Sequence, residues 1–416
     1  MYFALAPKHV VILVENLPVP FDRRPWQIAQ TLHRAGHHVS VVCPQMYDYR
    51  KPFEQLEGID IYRYPNREGS SFWGWIFEYV NALFWMWVIC LRLALTRGID
   101  AIHACNPPDL LWLVGWPFKL FCGTRFVFDH HDLAPEVYLA KFNSESFVFR
   151  TMVRLERITY RIADVALCTN RSFQERAIGR AGMPRDRVFI VRNAPVPGRL
   201  VRGPAKPELR FGRRHLVVYL GVMNKQDGVD LLLDSIAHMV HELGRRDVLF
   251  GLIGDGPEAP ALVQRAEDLK ISEHVKFLGR ISDGKILSDY LNTASVCVCP
   301  DPKNPMNDLS TMTKVVEYLA LGKAVVAFDL HETLYTAGRC ALYAHNNCPR
   351  EFGQQVARLL DDEVLRRSLG ARGWARYRAM LSWERSEAAL LAGYEKVLGA
   401  APRPMNEAAG STDSSD

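Results

Sequence analysis

Residues 304–329, NPMNDLSTMTKVVEYLALGKAVVAFD, place Asn307, Asp308, Ser310 and Thr311 ahead of a segment that carries Lys314 and Glu317 and closes at Gly322. A β-branched apolar run follows. Ser310 is a good N-cap, which predicts a helix from there to about Leu321. The first turn of such a helix exposes backbone N–H groups and the positive end of its dipole. Both favour an anion, phosphate above all. Lys314, one turn in, adds a cation. Glu317, two turns along, can accept hydrogen bonds from two adjacent hydroxyls, such as those of a ribose. Taken singly, Glu317 reads as a surface salt bridge and Lys314 as a solvated side chain. Together, ahead of a buried strand, they point to a corner that holds a nucleotide.

A second group of reactive types lies in the first half: Asp22-Arg23-Arg24 after a Pro-rich loop, and Asp129-His130-His131-Asp132. Asp22 suits either a ligand contact or the N-cap of a helix entered by Pro25. The two histidines argue against a metal. Neighbours on a strand point to opposite faces, and no third ligand follows at a fixed spacing.

The elements that must position these groups alternate. HVVILVE, VSVVCP, DAIHACN, TRFVFDHHD and ADVALCTN read as buried strands separated by helical segments. That pattern means a doubly wound parallel sheet, whose ligands sit at the C-terminal ends of its strands. Asn106, Asp129, His130, His131, Asp132 and Asn170 fall at those ends. Pro and Gly accumulate over residues 191–215 and periodicity is lost, which marks a linker. A second series then begins with LVVYLG, VLFGLIGDGPE, VKFLGRI, ASVCVCP and AVVAFDL. The reading is therefore α/β, with a domain over 1–198, a linker over 199–214 and a second domain over 215–382. A helix over 383–400 is free to cross back to the first domain, and 401–416 reads as a disordered tail. The cleft between two such sheets is the default site.

Composition agrees. The 416 residues are 48% hydrophobic and 23% charged, which excludes a disordered or fibrous chain. The net charge of +5 is uneven: residues 1–200 hold 24 Lys and Arg against 18 Asp and Glu, the remainder 27 against 28. A basic first half suits phosphate or anionic lipid, and nothing points to nucleic acid as a partner. The nine cysteines are scattered without a C-x-x-C pair, as expected of a reducing cytoplasm. Lys8 and His9 run directly into a strand, so no signal peptide is expected. Residues 71–96, SSFWGWIFEYVNALFWMWVICLRLAL, are long enough to span a bilayer, but Glu78, Asn81 and Arg92 interrupt them. They read as a helix with one face in the core. The other face is either buried as well or lies on the inner surface of the cytoplasmic membrane.

The stretch at 304–329, with LGVMNKQDGVDLLLDSI at 220–236, GDGPE at 254–258 and FLGRI at 277–281, resembles the retaining glycosyltransferases of family 4. LPVPFDRRPWQIAQTLHRAGHHVSVVCP and FDHHDLAPEVY resemble the branch that builds bacterial surface polysaccharides. The resemblance covers nearly the whole chain and implies the GT-B fold, two facing Rossmann-like domains with an interdomain cleft. It implies a hexosyltransferase that takes a UDP- or GDP-sugar as substrate, uses no other cofactor and acts on a glycan or lipid-linked acceptor. Glu317 matches the second glutamate of the family's E-x7-E motif, which holds the ribose. The first falls on Leu309 and is missing, with Asp308 one residue away. The family's diphosphate-binding Arg and Lys slots hold Val222 and Asp227. Gly221, Lys225 and Gln226, with Asn307, Ser310, Thr311 and Lys314, are left to hold the donor, and Arg280 matches the base-binding position. Asp22, Asp308 and His131 are the candidates for the sugar and its chemistry. Arg23, Arg24, His130 and Glu136 are those for the acceptor. The chain contains no Asp-x-Asp, so no divalent metal is expected. An epimerase or phosphorylase on the same fold, or a silent nucleotide-binding subunit, remain alternatives. Against a phosphorylase, no lysine lies in a motif that would carry pyridoxal.

Overall fold

The computed structural model describes residues 7–66, 69, 72–142 and 144–399. The tail expected over 401–416 lies outside them. Two sheets form. The first holds β1 (His9–Val14), β2 (His38–Gln45), β3 (Phe53–Leu56), β4 (Ile59–Pro65), β5 (Ala101–Cys105), β6 (Arg125–His130), β7 (Val165–Cys168) and β8 (Val188–Ile190). Their order is β3-β4-β2-β1-β5-β6-β7-β8, parallel throughout except for the β3–β4 hairpin. The second holds β9 (His215–Leu220), β10 (Val248–Ile253), β11 (Val275–Gly279), β12 (Val296–Cys299), β13 (Val325–Phe328) and β14 (Ala341–Ala344), all parallel, in the order β11-β10-β9-β12-β13-β14. The central strands β1, β5 and β10 are buried at every position because helices cover both faces.

In the first sheet, right-handed crossovers decide which helix covers which face. The step from β1 to β2 runs one way across the sheet, and helix Arg23–Arg34 covers one face with Trp26, Ile28 and Leu32 in its core. The steps from β4 to β5, β5 to β6 and β6 to β7 run the other way. Helices Phe72–Arg97, Trp112–Cys122 and Phe147–Ile162 therefore form one layer on the opposite face. Ala82, Met86, Cys90 and Leu93 recur on one side of the long helix and pack with Val114, Phe118 and Tyr160.

Helix Trp383–Leu398 returns to the first domain. Leu390 and Tyr394 enter its core, Trp383 Nε1 donates to Thr31 Oγ1 at 3.0 Å, and the Tyr394 hydroxyl meets His103 Nδ1 at 2.7 Å.

Candidate functional site

The C-terminal ends of the two sheets face each other. Asn170 caps the helix after β7 and its Nδ2 reaches across to the Leu309 carbonyl at 2.9 Å and to Thr311 Oγ1 at 3.1 Å. Ser172, in the same turn, donates through N and Oγ to Glu332 of the second domain at 3.0 and 2.6 Å. The Arg280 guanidinium stacks over the ring of Phe21, 4.9 Å from its centroid.

Glu317 is the carboxylate at the centre of this cleft. It sits on helix Thr313–Ala320 and is only 5% exposed. Burial pushes its carboxyl above the ordinary value, while Arg23, Arg199 and Lys314 pull the other way. Its Oε1 lies 3.5 Å from Arg23 of the first domain and 3.8 Å from Arg199 of the linker. Burial, Arg23 and Arg280 depress Arg199 in turn. Two guanidiniums thus lie within 4 Å of one buried carboxylate, and Arg280 acts on Arg199 in turn, an excess of positive charge that favours an anion. Arg199 carries no signal in the sequence, because it lies where periodicity has lapsed.

The rest of the corner differs from the expectation. Ser310 does not cap the helix. Its Oγ donates to the Met306 carbonyl at 2.8 Å and closes the short turn Asn307–Leu309, while the helix begins at Thr313 after Met312. Thr311 accepts from Asn170 instead of facing open solvent. Lys314 Nζ is held by both oxygens of the buried Asp301, at 2.8 and 2.7 Å, and lies over the ring of Tyr219. That bidentate pair draws it inward. Asp308 accepts from the His331 N–H at 2.8 Å, so its carboxylate tethers the start of the next helix. Asn307 is buried and donates to the carbonyls of Gln226 and Pro302, both at 2.9 Å, which fixes the loop carrying Lys225 and Gln226. Lys225 and Gln226 are exposed. Leu309, in the slot of the missing glutamate, packs against the core of the first domain. At Gly221 a Cβ would come within 2.6 Å of the Tyr219 hydroxyl and 3.1 Å of Lys314 Cε, so only glycine leaves this approach open.

In the first domain, Asp22 is the N-cap of helix Arg23–Arg34, accepting from the Arg24 N–H at 3.3 Å. It is half-buried, and burial raises its carboxyl against the pull of His131. His131 is 14% exposed in its side chain, with Nδ1 3.4 Å from Asp129. Asp22, His131 and Glu317's partner Arg23 are therefore brought to one rim. Arg24, His130 and Glu136 are placed in the interior. Arg24 holds Asp129 through Nε and Nη2 at 2.8 and 2.6 Å and spends Nη1 on Val191 and Asn193. Burial alone would raise Asp129; Arg24, with hydrogen bonds from His103 and His131, holds it well below the carboxylate range. Burial, Arg180 and His131 push His130 down to about 3, and its Nδ1 meets the Tyr160 hydroxyl at 2.5 Å. It is a neutral core histidine. Arg180 pairs with Glu136 at 2.6 Å and with Glu156. Among the described residues His103, Cys105 and Asp129 are near enough to share a metal, but Arg24 already occupies both oxygens of Asp129.

Residues 22–194 match the model of the glycosyl transferase 4-like domain and residues 214–362 that of glycosyl transferases group 1. Fold and matched domains together define this chain: it carries the two domains of a GT-B glycosyltransferase. Sucrose-phosphate synthase from Thermosynechococcus elongatus superposes with a TM-score of 0.73 at 18% identity, covering 94% of this chain and 99% of that one. WaaG, a glycosyltransferase involved in lipopolysaccharide biosynthesis, gives 0.71 at 15% over 94% and 100%. Anabaena HepE in complex with UDP-glucose gives 0.67 at 14% over 92% and 98%. An uncharacterised glycosyltransferase of Methanocaldococcus jannaschii is 26% identical over 185 residues, 43% of this chain. The match spans about half of that curated relative, 48% of its length.

Proposed function

We propose that the chain is a retaining glycosyltransferase that moves a hexose from a UDP- or GDP-sugar to a glycan or lipid-linked acceptor in cell-surface glycan synthesis. The observation that carries this is Glu317, a buried carboxylate in a cleft whose nearest charged neighbours are arginines from the first domain and the linker. The carboxylate suits a ribose diol; the arginines suit a diphosphate. A structural neighbour, HepE, is seen with UDP-glucose.

The mechanism follows from charge. Breaking the sugar–diphosphate bond develops negative charge on the leaving phosphate and positive charge on the ring. Arg199, Arg23 and the exposed Lys225 stabilise the first by preorganised electrostatics. Lys314, neutralised by Asp301, contributes less. These cations replace the charge a metal would bring, and the reaction runs without one. The leaving phosphate takes the acceptor's proton on the face where the new bond forms, which retains configuration. His131 and Asp22, at the rim, orient the transferred sugar.

The test is a thermal-shift series with UDP, GDP, ADP and buffer alone, followed by a sugar panel with the stabilising base in excess chelator. A ligand at 100 times its Kd stabilises a fold by about 2.7 kcal/mol. A shift with UDP or GDP, then anomer-retaining transfer in chelator, is expected. A nucleotide shift without transfer favours a silent nucleotide-binding subunit, and no shift with any nucleotide overturns the donor site. Activity lost in chelator and restored by Mg²⁺ overturns the metal-free step.

A further inference from the structure

The helix layer over β1, β5, β6 and β7 has a second side, turned away from the sheet. On helix Phe72–Arg97 the buried stripe is Ala82, Met86, Cys90 and Leu93, yet the opposite stripe is not polar. Phe77, Phe84 and Trp87 lie there at helical spacing, 55%, 58% and 41% exposed. The adjacent helix Trp112–Cys122 continues the surface with Trp116, Leu120 and Phe121, 47%, 58% and 80% exposed. Six large exposed apolar side chains thus stand on two packed helices, and apolar surface gathered in this way marks interaction sites.

The next helix in the layer, Phe147–Ile162, packs against Trp112–Cys122 and carries the charge. Arg150, Arg154, Arg157 and Arg161 recur on one side, opposite its buried Glu156 and Tyr160. All four are exposed and none has a carboxylate partner among the described residues.

We infer that this layer docks the protein on an anionic phospholipid bilayer, with the aromatic stripe in the headgroup region and the arginine stripe against lipid phosphates. Aromatic and aliphatic side chains flanked by arginines that have no carboxylate partner are the chemistry of an interfacial surface. The long helix lies in the interface plane and does not span it, because Ala82, Met86, Cys90 and Leu93 are built into the core with Val11, Leu13 and Phe128. Crossover helices run antiparallel to their strands. The first turns of this layer therefore stand at the cleft end of the sheet, beside the rim of Asp22 and His131. Docking brings the acceptor half of the cleft to the bilayer surface, where a lipid-linked acceptor is held. The inference deepens the acceptor part of the function proposed above, and its test does not depend on the donor.

The full chain is floated with vesicles of phosphatidylcholine alone and of phosphatidylcholine mixed with phosphatidylglycerol. Wild type is expected to float with the anionic vesicles. A variant with Phe84→Ser, Trp87→Ser and Trp116→Ser loses at least about tenfold in partitioning, since interfacial binding scales with the apolar area inserted. A variant with Arg150, Arg154, Arg157 and Arg161 changed to Gln loses the preference for anionic over neutral vesicles. Both variants keep the wild-type unfolding midpoint and its nucleotide shift. Absence of flotation, flotation of the Ser variant equal to wild type, or a dimer in solution that the Ser variant abolishes while vesicles go unbound overturns the inference. If flotation holds and the nucleotide shift is absent, the donor reading fails and the docking stands.

Discussion

Changing Glu317 to Gln separates binding from folding. The substitution keeps the shape and one carbonyl acceptor but removes the charge. A hydrogen bond to a charged group is worth about 1.5–3 kcal/mol, and each 1.4 kcal/mol is about tenfold. Nucleotide Kd is therefore expected to rise about 10- to 150-fold by calorimetry. Stability moves the other way. Burial raises the Glu317 carboxyl, so the folded state favours its protonated form. Relative to a neutral side chain, the wild type loses stability as pH rises from the unfolded value through the raised folded one. The ion pairs that oppose this are long, 3.5 and 3.8 Å, and Arg23 is 47% exposed, where solvent screens it. The Gln variant is thus expected to unfold at the same urea concentration as wild type, or a higher one, at pH 7. Weakened binding with an intact fold supports the ribose assignment. Unchanged Kd in the folded variant refutes it, and a large loss of stability refutes the reading of a loosely paired, costly carboxylate.

Arg199→Ala is expected to raise the donor KM about tenfold and flatten its dependence on salt, measured in steady-state assays across ionic strength. An unchanged KM removes Arg199 from the phosphate site. Asp129→Asn strips the buried Arg24 of its counter-charge, at a cost of about 3–5 kcal/mol in urea unfolding. A cost below about 1 kcal/mol on that scale would show Arg24 free to find another partner. Asp109 is pushed up to about 8 by burial and the nearby Glu156. Its protonated form is favoured in the fold, so wild-type stability falls as pH rises from about 4 through 8. Asp109→Asn flattens that slope, and a variant with the wild-type profile falsifies the assignment.

The parallel sheets were legible because a strand covered on both faces is a nearly unbroken apolar run, as VVILV after His9 and VLFGLI are. The β3–β4 hairpin was missed: Phe53–Leu56 is mostly exposed and polar at two of its four positions. In the corner at 304–329 the type of Glu317 survived translation into structure, and the roles of its neighbours did not. Ser310 looks like a cap, but an earlier turn takes its hydroxyl. Lys314 looks free, but Asp301, thirteen residues back, neutralises it. Arg23 and Arg24 are adjacent in sequence, yet successive helical residues diverge by about 100°. One reaches Glu317 across the cleft; the other is buried on Asp129. The partners of Arg23 and Arg24 are distant in the chain, and no local pattern encodes them.

The return of helix Trp383–Leu398 gives the two lobes a second covalent connection. The chain passes from first lobe to second through residues 191–214 and back again just before Trp383. The crossings lie side by side, with Ser386 Oγ donating to the Arg192 carbonyl at 3.0 Å. Two bodies joined by one tether can swivel in any direction. Joined at two neighbouring points they turn about the line between those points, like a door on two pins. The Arg23–Glu317 contact is then the latch side of that door. Any opening of the cleft would retrace one arc, and any closing would return the same residues to the same register.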